Sequence, residues 1–317
     1  MTNSQWRGVG LLAIALLQAQ SQLSDPELEY PAYTPKATDL ILSRSKYMDQ
    51  LEGFWLTQCI ANWTGLITEM DKIEPPFYTD ENWDGPDERN IWGNFISTTD
   101  TIIEYYFVRN GETWAADDDT DIEYMYQHLL DVNNTSILTP EQIRDGWVHH
   151  IYSNEDAPNN ENFLWVSNET AYYLMLEGLL PPATSTPENN SHSEMIDAQL
   201  TTEIFGLFAP TRPDIALRMA NMPIQTTANG NAKWAAEFYV VMYSLASYVE
   251  NELSMKEKVF WLAKQARRVL PNGSPVAGMY DYIKESYDAN PDKNDWESTR
   301  DAVYERYQVN GGDGYVY

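Results

Sequence analysis

Within the stretch ETWAADDDTDIEYMYQHLLD, Asp117, Asp118, Asp119 and Asp121 place four carboxylates in five consecutive positions, directly ahead of an apolar run with helical spacing. Neighbouring carboxylates repel, and burial raises the cost of keeping them charged, so the pattern asks for protons or a cation. All-oxygen donors are hard ligands and favour Mg²⁺, Mn²⁺ or Ca²⁺ over softer metals. A Ca²⁺ loop of the EF-hand kind is excluded by register: counting from Asp117, Ile122 falls where glycine is required and His128 where the bidentate glutamate belongs. The competing explanation is local, because Asp is a favoured N-cap and acids in a first helical turn gain ~0.3–1 kcal/mol each from the helix dipole. One or two aspartates would satisfy that need, and four exceed it.

Other chemistry-bearing residues are less suggestive. His149 and His150 are adjacent, so on a helix they point about 100° apart, and no third ligand stands near them in sequence; they read as surface or helix-end residues. Gly111, Gly230 and Gly273 have no phosphate-loop spacing. Cys59 is the single cysteine, which rules out an intramolecular disulfide and reads as a small buried apolar residue.

The elements that must carry these groups are helical. Leu51, Trp55 and Cys59, with Phe54 alongside, recur at helical spacing through LEGFWLTQCIANWTGLITEM. Helices are expected from about 94 to 108 and again after the aspartates, where Ile122, Met125, Tyr126, Leu129 and Leu130 form one stripe. Thr139-Pro140-Glu141-Gln142 supplies an N-cap, a first-turn proline and a capping-box glutamine. A long apolar helix is expected in ENFLWVSNETAYYLMLEGLL, and TSTPENNSHS after Pro181-Pro182 reads as a linker. Further helices are expected at about 195–208, 213–221, 231–252, from the Ser254 capping box to Leu270, from Ser274-Pro275, and at about 293–307. No stretch alternates with the period of a strand, so the expected fold is all-α, roughly ten helices in one domain.

Composition sets the setting. Twenty Lys and Arg stand against 48 Asp and Glu, and a formal charge of −28 disfavours phosphate backbones and anionic membranes. Hydrophobic residues at 43%, with 11 Trp and 21 Tyr, are those of a folded chain rather than a disordered one. Residues 1–20 have the layout of a secretory signal peptide, Arg7 followed by the apolar run Val9 to Leu17, which is too short to span a bilayer. Asn-x-Ser/Thr tripeptides at Asn62, Asn133, Asn134, Asn168, Asn189 and Asn272 suit an extracellular glycoprotein. The expected layout is a signal peptide over 1–20, a lead over 21–45 and one helical domain over 46–317.

Read together, GFWLTQCIANWTGLITE and DDDTDIEYMYQHLLD resemble the ADP-ribosylglycohydrolase family, whose first long helix ends in Gly and then Glu and whose next signature is an Asp-Asp-Thr run opening a helix. The resemblance extends through Gly206-Leu207-Phe208-Ala209-Pro210 and Gly230-Asn231-Ala232 to DWESTRDAVYERYQ, covering about residues 50–315. It implies an all-α orthogonal bundle of that type, one or two Mg²⁺ or Mn²⁺ ions, and hydrolysis of the glycosidic bond joining ADP-ribose to an acceptor. The implied metal ligands are Asp118 and Asp119, joined in the expected metal site by Asp117, which stands where the family usually has Thr. Glu69 is the implied catalytic residue beside the metals, and Gly230 and Asn231 are implied to bind substrate. The chain departs from the family at Ala61-Asn62, at IDAQLTTE and at Ala228, and no second Asp cluster follows before Tyr317, so the bundle reads as C-terminally incomplete and the second ion lacks ligands. Two further readings accompany this one: a noncatalytic binder of ADP-ribose, and a secreted carbohydrate-active glycoside hydrolase using the wealth of Trp and Tyr as stacking platforms.

Overall fold

In the computed structural model, residues 34–66, 75–82, 117–249 and 252–309 are described. Helix α1 spans Arg44–Leu66, α2 Asp118–Asn133, α3 Pro140–His150, α4 Val166–Leu176, α5 Asp197–Thr201, α6 Ile204–Phe208, α7 Pro213–Thr227 and α8 Gly230–Ala246. Three more follow: α9 Met255–Ala266, α10 Pro275–Ala289 and α11 Trp296–Val303, the last running into a π-helical turn, Tyr304–Val309. Among the described residues there is no strand, and the fold is all-α. The expected signal peptide, the helix at 94–108 and Glu69 lie outside the described residues.

Local chemistry accounts for most helix starts. Thr139 and Ser254 each close a capping box, with Gln142 and Glu257 reaching back, and Ser274 caps α10 ahead of Pro275. On α2 the apolar stripe is buried as expected: Ile122, Met125, Tyr126 and Leu129 face the core. Trp147 of α3 donates its indole N–H to Tyr126 Oη at 3.1 Å, and both side chains are fully buried. Helix α8 is the hub, against which α5, α6, α7, α9 and α10 all pack. Its approach to α6 is close enough that Gly206 is required, since any Cβ there would collide with the Val240 carbonyl and the Ser244 amide.

Three segments differ from the sequence reading. The helix expected at 195–208 is two short ones, because Thr201 and Thr202 turn their hydroxyls back onto the Asp197 and Ala198 carbonyls at 3.2 and 2.6 Å. The Ile204 amide that begins α6 then bonds the Glu123 carboxylate at 3.0 Å. Helix α7 runs on to Thr227 through Pro223, whose apolar ring is buried with Ala220 and Ile224 on the same face. The segment read as a linker is packed: Thr184 and Asn190 are fully buried, donating to the Thr226 and Ser167 carbonyls at 2.7 and 3.1 Å. At Thr184 and Asn190 the polar side chains serve buried hydrogen bonding, while residues 187–189 and 191 are exposed.

Candidate functional site: a buried carboxylate cluster

Asp117 sits just outside α2 in extended conformation, and its side chain accepts the Thr120 amide at 3.0 Å, which makes it the N-cap. The local explanation of the aspartate run is therefore correct for this residue. Asp118 and Asp119 occupy the first turn, both half-buried, and Thr120 behind them is buried and accepts from Asn62 Nδ2 of α1 at 3.1 Å. One turn further, Glu123 is fully buried and receives Gln58 Nε2 of α1 as well as the Ile204 amide.

Two more acids arrive from α5 and its end. Asp197, 1% exposed, opens α5 and accepts the Asn168 amide at 3.1 Å, tying α4 to the cluster. Glu203 stands at the α5–α6 break, where its carboxyl and that of Glu123 influence one another. Among the described residues none of Asp118, Asp119, Glu123, Asp197 and Glu203 pairs with Lys or Arg. The electrostatic consequence is uniform. Burial, followed by its carboxylate neighbours Asp118, Asp117, Asp197 and Glu203, pushes Asp119 up to about 9. Burial raises Asp118 to about 7 against a lowering backbone hydrogen bond, with Asp117, Asp197 and Asp121 adding to the rise. Glu123 is lifted to about 7 by burial, Asp197 is raised by the same cause, and Glu203 lies well above the carboxylate range.

Three oxygens in this cluster, Asp118 Oδ2, Asp197 Oδ2 and Glu203 Oε2, are buried without a hydrogen-bond partner. Hard oxygen donors with unsatisfied lone pairs suit a divalent cation in chemical type. Yet among the described residues no three His, Cys, Asp or Glu side chains converge into a metal-holding group. What the arrangement does offer is carboxylic acids poised to carry protons near neutral pH beside an open cavity. That cavity, about 360 Å³, is lined by Asp118, Asp121 and His150 with Tyr152, Glu161 and Phe163. Phe163 is 71% exposed at its mouth.

Gly230 and Asn231 lie elsewhere in the hydrogen-bond network. Gly230 has φ of 53°, and Glu194 Oε1 occupies the space its Cβ would need while accepting the Asn231 amide at 3.0 Å. Among the described residues no hydrogen bond joins this pair to the α2 carboxylates. His149 and His150 are exposed in the last turn of α3 as expected, although the fold brings His128 of α2 to 5.2 Å from the His150 ring. Cys59 is half-buried rather than a core residue.

Sequence reasoning passed over Glu123, Asp197 and Glu203. A signal existed for the first, since Glu123 is four residues after Asp119 and lies among Ile122, Met125 and Tyr126 on the apolar face. For the other two the signal was the IDAQLTTE departure, an acid at each end of a segment that is otherwise helix-forming. Comparison with protein-family models, with curated proteins and with solved structures found no match.

Proposed function

We propose that the chain is a metal-dependent hydrolase of the ADP-ribosylglycohydrolase type, built as the corresponding orthogonal helical bundle and cleaving the glycosidic bond between ADP-ribose and its acceptor. The observation that supports this reading is Asp118: a carboxylate oxygen buried without a partner, beside Asp119, where the neighbouring charges are carboxylates. Asp118 and Asp119 would hold Mg²⁺ or Mn²⁺, which when bound supplies charge neutralisation and a more acidic water. Asp117 fixes the turn that presents them, and Thr120, held by Asn62, anchors it to α1. Glu69 takes the catalytic role that the resemblance implies, at the ribose and its attacking water. The cavity beside Asp118 and Asp121 receives the substrate, with Tyr152 and Phe163 offering aromatic faces to a ring. The N-terminal apolar run and the sequons support a secreted location.

Incubation with ADP-ribosylated protein and Mg²⁺ or Mn²⁺ tests the proposal. Release of ADP-ribose that chelator abolishes and Asp118→Asn removes is the expected result; turnover indifferent to both would sink it. A second reading, a binder without turnover, is favoured by the lack of three convergent ligands among the described residues. It expects calorimetric binding of ADP-ribose with no release from any substrate.

A further inference from the structure

A cavity of about 460 Å³ lies between α9, α10 and α11, far along the chain from the carboxylate cluster and with a different character. Its walls are Val259, Phe260, Ala263, Ile283, Tyr287 and Trp296. Four of these, Val259, Phe260, Ile283 and Trp296, remain 38–46% exposed, a concentration of large apolar side chains without cover. The volume falls within the range of small-molecule sites, about 300–1,000 Å³.

The rim carries the second observation. Lys256 Nζ stands 4.9 Å and Lys293 Nζ 4.8 Å from the centroid of the same Tyr287 ring. Lys256 donates to the Lys293 carbonyl at 3.1 Å, and Lys293 to the Tyr287 and Asp288 carbonyls at 2.6 and 2.9 Å. Neither ammonium has a carboxylate at ion-pair distance among the described residues. In a chain with 48 acids and 20 bases, two ammonium groups gathered on one ring without a carboxylate are conspicuous. The third lysine of the rim, Lys284, pairs with Asp288 at 2.5 Å. Asp295, the acid in the lining, is held by the Ser298 amide and by Asn290 Nδ2, both at 3.1 Å.

An apolar slot whose rim carries two ammonium groups without a carboxylate partner complements a ligand with an apolar chain and an anionic head. We propose that this cavity binds a single-chain amphiphile with an anionic head, a fatty carboxylate, with its head at Lys256 and Lys293 and its chain along Phe260, Ala263, Ile283 and Trp296. The residues involved are separate from the carboxylate cluster, so this site stands or falls independently of the hydrolase reading.

Calorimetric titration of the full chain with sodium dodecanoate, dodecan-1-ol and dodecyltrimethylammonium tests it. Dodecanoate is expected to bind at one site, about tenfold or more tightly than the alcohol of equal chain length, and K256Q/K293Q is expected to erase that preference. Ala263→Trp, which fills the slot and leaves both lysines in place, is expected to abolish binding, with circular dichroism confirming that both variants fold. No heat from dodecanoate, equal affinity for the alcohol, a preference for the cationic amphiphile, or binding unchanged in either variant would each overturn the proposal.

Discussion

Residues 117–249 and residues 255–309 handle charge in opposite ways. The first region carries 19 acids and 4 bases, and several of its acids are buried together without a cation. In the second, nine acids meet nine bases, and its ion pairs, Arg267 with Asp281, Lys284 with Asp288 and Arg300 with Asp301, involve partly exposed side chains. Burial follows the same division. Helices α2 to α8 share one continuous core, whereas α9 buries Ala266 alone, α10 buries Val276 and Ala277, and α11 buries nothing. Packing strength in the first region is what allows carboxylates to be held where their charge is disfavoured; the second has no such reserve and leaves its charges in solvent.

The comparison breaks first at the cores. Trp147→Ala should cost ~3–5 kcal/mol in urea unfolding, because a fully buried ring is lost and the Tyr126 hydroxyl is left without its donor. Trp296→Ala, at 46% exposure, should cost well under half of that. Equal losses would show that the two regions are not differently packed.

Acid–base behaviour sharpens the contrast. Glu123 is raised to about 7 and Glu203 well above the carboxylate range, so the folded chain holds the protons of both more tightly than the unfolded chain does. Stability from the Glu123 proton is complete below the ordinary glutamate value and is lost as pH rises through about 7, and that from the Glu203 proton is lost at higher pH. Glu203→Gln keeps a donor toward Glu123 and should flatten the melting temperature between about pH 5 and pH 8. A slope identical to wild type would remove the pair from the account. Asp118→Asn should raise stability by about 1 kcal/mol near neutral pH without divalent cation, by relieving repulsion, and should also erase any melting-temperature gain from Mn²⁺. Smallest is Arg267→Gln, for which removing a partly exposed pair should change stability by less than about 1 kcal/mol.

How much was readable beforehand follows the range of the interactions. Capping boxes at Thr139 and Ser254 and the stripe of α2 are decided within one or two turns, and they stand in the sequence as plainly as in the structure. The break between α5 and α6 was not readable, because its stabilising partner, Glu123, lies 81 residues from Ile204. The 184–193 segment misleads for the same reason, its buried Thr184 and Asn190 finding carbonyls on α7 and α4 instead of water. Of the site, the aspartate run was plainly visible, while Asp197 and Glu203 showed only as the IDAQLTTE departure, which marks the segment but not the remote helix that brings its acids to the others.

Asn168 heads a sequon, yet its side chain is wholly enclosed where α4 meets Asp197. An oligosaccharide attached there during translocation could not be accommodated once α4 docks, so on a secretory route folding and glycan transfer compete at this asparagine. If the chain takes that route, the native state requires α4 to close before transfer, and mass spectrometry of folded material should find Asn168 bare.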